Sequence, residues 1–545
     1  MSVSSVLTAQ TLPQMLAATV RRFPDRPAID FFGRRMTYRA FGAAVEATAA
    51  GLQDRGIGKG DRVGLCLPNC PAAVIFYQAV LVAGGVAVSL NPLEVEAELE
   101  HQLRDSGAKL VVVPDLAVIY DKIGAVADRI PGLGVVVCSF AAMLPPLRGF
   151  AFRLLHWRAR VRHLRNGRDV DAAQLAAPGR QPVAVAVHPA DLAVLQYTGG
   201  TTGPPKGAML THAAIAANCR QILAFAPFLR PGEERVLGVL PLFHVFAMTV
   251  VMNLAIVLGA EMILLPRFDL KPLLRVIARR RPTLFPGVPT LFGAIAGAGT
   301  KPPPDLTSVR FCICGAAPLS PQTRIRFEAL TGCRLLEGYG LTEASPVVSC
   351  NPPDAVRDGT VGVPLPETEI AVLDTVTGAR LTAAGARGEI VVRGPQVMAG
   401  YWRQPEETAA ALAGGWLHTG DVGCLDADGY LTVVDRLKDV IFCGGYNVYP
   451  STIEAVLRQH PAVAEAAVVG VPDSYRGEAP LAFVVLKQPG AATAAEIEAF
   501  VRPRLSPIDR PRAVELRASL PMTLVGKPSR RLLAGEARRA AAGPA

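Results

Sequence analysis

Residues Tyr197–His212 read YTGGTTGPPKGAMLTH, and the fold follows from what this stretch can and cannot be. Gly199, Gly200, Gly203 and Gly207 let a backbone turn tightly and approach a ligand closely. Thr198, Thr201 and Thr202 add hydroxyl donors, and Lys206 adds a mobile positive charge. Backbone N–H groups and hydroxyls arranged in this way can face the oxygens of a polyphosphate. No Gly-Lys is followed by Ser or Thr at the spacing of a P-loop. No G-x-G-x-x-G joins a strand to a helix, as a dinucleotide-binding sheet requires. A Gly/Thr/Pro cluster alone marks an ordinary surface turn; the length and mixed chemistry of this one favour a phosphate cradle.

Around it lies a chain of 545 residues, too long for one hydrophobic core, so two or more domains are expected. Half of the residues are hydrophobic and 19% are charged, which excludes disorder and suits a large enzyme. The net charge of +10 suggests affinity for anions such as a nucleotide, CoA or an acidic membrane surface. Nucleic acid is not expected, because the Lys and Arg are scattered and no recognition motif accompanies them. Ten cysteines at irregular spacings, with Cys312 and Cys314 closest, form no C-x-x-C or Cys/His ligand set. Free thiols in a reducing cytoplasm are expected. No basic region leads into an apolar core near Met1, so no secretory leader is expected. The apolar run Phe246–Ala260 is short for a membrane span, carries Asn253 and ends at Glu261, and reads as a buried helix.

Upstream of the cradle, an amphipathic helix within 1–50 precedes an extended stretch at Ala28–Phe32. GDRVGLCL (60–67), Val86–Leu90 and Lys109–Val113 read as buried strands, with a helix at Ala72–Gly84 between the first two. Strands alternating with helices predict an α/β architecture with largely parallel sheets. Between Phe140 and Arg168 the composition shifts. LRGFAFRLLHWRARVRHLRNGR (147–168) mixes seven arginines with Phe150, Phe152, Leu154, Leu155 and Trp157. Such a helix can lie on an anionic membrane; it can equally be a solvated helix covering the sheet, with arginine stems along apolar surface.

Downstream, LGVLPLFH (237–244) reads as a strand ending in a loop that carries Phe243 and His244. Lys271–Gly299 reads as a basic helix followed by PTLFPGVPTLF, a Pro-punctuated strand and turn. VRFCICGAAPL (309–319) reads as a strand running into a turn of small residues. In LLEGYGLTEASP (335–346), Tyr339 offers a flat face, Thr342 a donor, and Glu343 a hard carboxylate oxygen suited to Mg²⁺. A bare carboxylate beside a polyphosphate would repel it, so a metal between them is expected. GEIVVRGPQVMAGYW (388–402) closes a strand-rich region. In WLHTGD (416–421), Asp421 can accept from both hydroxyls of a ribose diol. The tail from Glu454 reads as a compact α+β unit with strands near Val463–Val471 and Leu481–Leu486, and LPMTLVGKPSRRLL (520–533) presents Lys527 after Gly526.

From about Pro13 to about Leu533 these motifs, in this order, resemble the acyl-adenylate-forming (AMP-binding) enzymes: acyl-CoA synthetases, luciferases and peptide-synthetase adenylation domains. YTGG, LPLFHVFA and TEASPVVSCNP are similar to the bacterial long-chain fatty acid–CoA ligases. The resemblance implies a large N-terminal domain of layered sheets and helices, residues 1–435, and a smaller mobile α+β C-terminal domain, residues 436–545. The hinge would be Lys438 in DRLK (435–438). It further implies ATP and CoA as cosubstrates and Mg²⁺ on Glu343. Thr198, Gly199, Gly200, Thr201, Thr202, Gly203 and Lys206 would hold the phosphates, and Gly315, Ala316, Ala317 and Tyr339 the adenine. Thr342 would meet the α-phosphate, Asp421 the ribose hydroxyls with Arg436 beside it, and His244 would gate the carboxylate. Gly444, Gly445 and Tyr446 would line a pantetheine tunnel, and Lys527 would be the catalytic lysine. The chain departs from the family pattern at Met248, where some long-chain members carry a gating Trp, and at Gly199, Gly444, Asp509 and Pro528.

The reaction implied joins an acid, ATP and CoA into acyl-CoA, AMP and pyrophosphate, with a medium- to long-chain fatty acid as the acid. Loading of a carrier protein, activation of an aryl acid and luciferase-type oxidation are the alternatives. A non-enzymatic nucleotide or lipid sensor would be expected to lack Glu343 or Lys527, and both are present. A cytoplasmic protein is expected, with any membrane contact made through 148–168.

Overall fold

The computed structural model describes residues 9–161, 164, 169–198, 205–298, 305–443, 446–473, 476–522 and 528–542. The chain separates into two compact units. One comprises Met1–Asp358, Gly362–Glu369 and Arg393–Leu417; the other comprises Gly359–Val361, Ile370–Val392 and His418–Ala545.

The larger unit holds two layered sheets flanked by helices. In the first, nine strands run in the order Val363–Pro364, Val347–Cys350, Leu335–Gly340, Phe311–Cys314, Leu284–Gly287, Arg235–Gly238, Glu261–Leu264, Pro27–Phe31 and Arg34–Thr37. The central strands are parallel, and antiparallel strands close both edges. The second sheet runs Asp169–Asp171, Gly134–Cys138, Leu110–Pro114, Arg62–Leu65, Val86–Ser89, Leu192–Thr198 and Lys206–Thr211. All its pairings are parallel except the last. Continuous apolar runs such as Leu110–Val113 are buried throughout, as strands covered on both faces by helices must be. The α/β expectation holds.

Local chemistry starts the helices where the sequence signals them. Thr11 caps Leu12–Arg22 in a reciprocal box with Gln14, and Arg21 and Arg22 occupy the last turn. Thr211, the last residue of its strand, accepts from the Ala214 N–H and opens His212–Phe225 directly. Val245 and Ala247–Ala260 are buried, so the apolar run is a core element, with a π-helical turn at Met248–Asn253. No helix among the described residues is long and apolar enough to cross a membrane. PTLFPGVPTLF differs from its reading as strand and turn: Leu284–Gly287 is the strand, but Pro289 then starts the helix Pro289–Ala296. Proline at the first helical position lacks only an N–H that would be unpaired anyway. All ten cysteines are free thiols, and all but Cys424 are buried.

The smaller unit contains most of a four-stranded sheet, Glu369–Leu373, Gly388–Arg393, Leu417–Leu425 and Leu431–Arg436. It also holds a five-stranded sheet built on the long hairpin Val463–Asp473 and Gly477–Leu486. Ala513–Arg517 joins that hairpin in parallel, and the helices Pro450–Leu457, Ala494–Val501 and Arg530–Ala542 accompany the sheet.

Candidate active site

Tyr197–His212 spans a β-hairpin. Leu192–Thr198 and Lys206–Thr211 pair antiparallel, with Thr198 opposite Lys206; Gly199, Gly200, Thr201, Thr202 and Gly203 lie outside the described residues. The Thr198 hydroxyl donates to the Lys206 carbonyl at 3.4 Å. Along its other edge the second strand meets the segment Met398–Trp402. Met209 N–H donates to Gly400 O at 2.9 Å, Ala399 N–H to Met209 O at 2.9 Å, and Trp402 N–H to Gly207 O at 2.8 Å.

The same segment reaches Glu343. Met398 N–H donates to Glu343 O at 2.7 Å, and the Tyr401 hydroxyl donates to Glu343 Oε1 at 2.8 Å. The Lys206 ammonium lies 5.3 Å from the centroid of the Tyr401 ring and pairs with the Glu407 carboxylate. One tyrosine therefore touches both the cation of the hairpin and the carboxylate of YGLTE. Glu343 sits in the short turn Thr342–Ala344 just after Leu335–Gly340. That turn is tight: Leu341 N–H donates to Pro346 O at 3.0 Å, and a Cβ on Gly340 would lie 2.2 Å from the same oxygen. Among the described residues no group of three or more His, Cys, Asp or Glu could hold a metal ion. A lone carboxylate fits Mg²⁺ that is held mainly by substrate phosphates and water.

The turn of small residues lies at the carboxyl end of Phe311–Cys314, whose Cys314 pairs with Glu337 on the neighbouring strand. Leu319 N–H donates to Glu337 Oε1 at 3.0 Å, and burial raises that carboxyl's pKa. Ala316 sits at φ +69°, a left-handed conformation that costs a residue with a Cβ about 1–2 kcal/mol. Gly315 lies against the Phe246 ring. His244 closes the loop after Arg235–Gly238, and its Nδ1 accepts from Phe246 N–H at 3.3 Å. Burial lowers its pKa, so the imidazole is neutral with its proton on Nε2. Two buried amides fix this loop. Asn69 donates to Gly238 O and Leu240 O at 3.1 and 2.7 Å and accepts from Leu242 N–H, while Gln196 donates to Phe243 O at 2.9 Å.

In the smaller unit, Asp421 and Arg436 face each other across the hairpin Leu417–Leu425/Leu431–Arg436, with Arg436 Nε 3.0 Å from Asp421 Oδ1. Asp421 is buried. Lys438 lies in the turn Leu437–Asp439. Tyr446 opens a short strand opposite Cys443 and is exposed; Gly444, Gly445 and Lys527 lie outside the described residues. Arg530 bonds Asp435 at 2.5 Å, Asp439 at 3.2 Å and Glu454 at 3.0 Å.

A family described as AMP-binding enzyme matches residues 16–402, and one described as AMP-binding enzyme C-terminal domain matches 452–527. A long-chain-fatty-acid–CoA ligase of Bacillus subtilis (strain 168) is 44% identical over 97% of this chain and 95% of its own. A feruloyl-CoA synthase of Amycolatopsis sp. is 36% identical over 95% and 96% of the two chains. The crystal structure of ATP-bound MatB from Rhodopseudomonas palustris superimposes with a TM-score of 0.83 at 31% identity, covering 97% of this chain and 98% of that one.

The chain belongs to the AMP-binding enzyme family.

Within this AMP-binding enzyme, the larger unit brings the strand of Lys206 to one edge of the 398–402 segment, with Thr198 on the next strand out, and Glu343 to the other. It also sets the Gly315–Ala317 turn and Tyr339 on adjacent strands. The smaller unit joins Asp421 to Arg436. Tyr401, Asn69, Gln196 and Arg530 escape a reading of motifs. Tyr401 stands within GEIVVRGPQVMAGYW and Arg530 within LPMTLVGKPSRRLL, and for Arg530 the available signal is a cation two residues beyond Gly-Lys-Pro in sequence. Asn69 and Gln196 act through backbone groups, which leave no mark in sequence.

Proposed function

We propose that this AMP-binding enzyme is a fatty acid–CoA ligase that forms acyl-CoA, AMP and pyrophosphate through an acyl-AMP intermediate. The end-to-end match to the Bacillus subtilis ligase carries this reading. ATP, CoA and a medium- to long-chain fatty acid are the substrates.

A carboxylate is ionised at neutral pH, so the first step needs no general base. Its oxygen attacks the α-phosphorus, the bond to the β-phosphate oxygen breaks, and pyrophosphate leaves with that electron pair. The obstacle is like charge. Lys206 and the donors of residues 198–203 would offset the triphosphate. The ion pair with Glu407 is partly exposed, a kind of contact worth about 1 kcal/mol or less, so Lys206 can exchange it for phosphate at little cost. Glu343, steadied by Tyr401, would hold Mg²⁺, which supplies neutralisation of phosphate charge when bound. Thr342 would donate to the α-phosphate, and neutral His244 would meet the carboxylate without adding a charge. Asp421 would accept from the ribose hydroxyls, with Arg436 holding it in place.

Lys527 would bridge the carboxylate and the α-phosphate during the first step. In the second, the CoA thiol attacks the acyl carbonyl and AMP departs; Gly444, Gly445 and Tyr446 would line the pantetheine path, and Lys438 would be the hinge between the two arrangements. The feruloyl-CoA synthase relative supports one alternative, an aryl acid as substrate. Pyrophosphate release measured with saturated and unsaturated fatty acids beside benzoate- and cinnamate-type acids separates the two. The highest kcat/KM is expected with fatty acids and to require CoA for turnover; preference for an aryl acid would replace this reading with the alternative.

A further inference from the structure

The basic stretch after Phe140 folds into the helix Pro146–Leu155, which turns most of its large apolar side chains outward. Only Gly149 is buried. Leu147, Phe150 and Leu154, three and four residues apart and hence on one face, are 87%, 69% and 66% exposed; Leu155 is 75% and Trp157 47% exposed. Arg153 lies at one margin of this apolar stripe, and Arg158 follows beside Trp157, 5.0 Å from the ring centroid. A helix that merely covered the sheet would turn these leucines and Phe150 inward and its arginines out.

The inward side is fixed. Gly149 approaches the Ala141 carbonyl so closely that a Cβ would lie 2.5 Å from it. Phe152 stacks on Phe140 at 5.4 Å, and Phe140 meets Phe31 at 5.7 Å. The Arg148 guanidinium donates to Phe32 O at 3.2 Å. The outward presentation of the stripe is therefore built into the packing.

We propose that Pro146–Trp157 docks this enzyme on an anionic lipid bilayer, with Leu147, Phe150, Leu154 and Leu155 in the acyl–headgroup boundary and Arg153 and Arg158 against lipid phosphates. The pattern matches what an in-plane helix needs: apolar side chains flanked by cations that reach back to the headgroups. Charge argues against a second copy of the chain on this face. Residues 146–168 contain no Asp or Glu, so a symmetric contact would set arginine against arginine with no countercharge. A bilayer rich in anionic lipid supplies apolar depth and negative charge together. The inference does not rest on the proposed reaction.

Flotation of the full chain with vesicles of equal parts phosphatidylcholine and phosphatidylglycerol tests it. The protein should float with them, release on raising salt, and stay behind with phosphatidylcholine alone. The triple variant Leu147→Asn, Phe150→Asn, Leu154→Asn should lose about tenfold or more in partitioning, and Arg153→Glu with Arg158→Glu a comparable amount. Trp157 emission should shift to the blue on adding the mixed vesicles, and the shift should vanish in Trp157→Phe. None of the replaced side chains is buried, so unchanged thermal melting should show that the variants fold. Undiminished binding by the triple variant overturns the proposal, as does equal binding to phosphatidylcholine alone. A lipid-free dimer that the triple variant dissociates would reassign the face to self-association and also overturn it.

Discussion

Tyr401 links two opposite charges of the site, Glu343 through its hydroxyl and Lys206 through its ring. Burial, reinforced by the Glu343 carboxylate, raises its pKa, so it remains a donor throughout the working range. Tyr401→Phe removes a hydrogen bond to a charged group, worth about 1.5–3 kcal/mol. It should lower kcat/KM by about tenfold or more and raise the Mg²⁺ concentration needed for half-maximal pyrophosphate release; an unchanged Mg²⁺ dependence would deny Tyr401 this role. His212 makes a separate prediction. It is 1% exposed, accepts from Leu12 N–H, and burial lowers its pKa from 6.5 to about 4. The unfolded chain then binds the proton more tightly than the folded one. Stability from this group is complete above about pH 6.5 and declines as the pH falls toward 4, by about 3 kcal/mol in all. Denaturant titrations across this window should show the loss, and His212→Asn should flatten it. Tyr401 and Asn69 were illegible in sequence for one reason: their partners stand 58 and about 170 residues away, and local pattern carries no information about such pairings.

At the scale of elements, the hairpin of Leu192–Thr198 and Lys206–Thr211 matters because its second strand is paired on both sides, to Leu192–Thr198 and to 398–402. The strands were readable where apolar runs were continuous, as at Leu110–Val113, since burial on both faces demands it. PTLFPGVPTLF was harder, because proline ends one element and begins another with equal ease. The stretch 147–168 was ambiguous in principle: composition gives an amphipathic helix but not which face turns inward. In the smaller unit, Arg530 carries the equivalent load. Burial opposes its charge, but Glu454, Asp435 and Asp439 outweigh that and raise its pKa. It thereby ties the start of the C-terminal helix to residues on both sides of Lys438. Arg530→Ala would strand three carboxylates, two of them buried, and should cost about 3–5 kcal/mol in denaturant unfolding. Arg530→Lys should recover only part of this, because an ammonium cannot fork to three partners. A neutral Arg530→Ala would show the knot to be dispensable.

For the whole molecule, the α/β layers of the larger unit match what alternating strands and helices imply, the hairpin-built sheet of the smaller one matches the α+β reading of the tail, and family membership follows from motifs distributed along the full length. The central claim is that one chain performs two chemically distinct steps with different residues. Adenylation needs a cation between two anions; thioester formation needs that cation gone and a thiol admitted. Lys527 is proposed to serve the first step alone. The direct measurement is Lys527→Ala beside the unaltered enzyme, assayed separately for pyrophosphate release from oleate and ATP and for oleoyl-CoA formation from supplied oleoyl-AMP and CoA. Suppression of the first by about a hundredfold or more, with the second near the unaltered rate, is the predicted result. Equal loss of both steps, or full retention of the first, would contradict it.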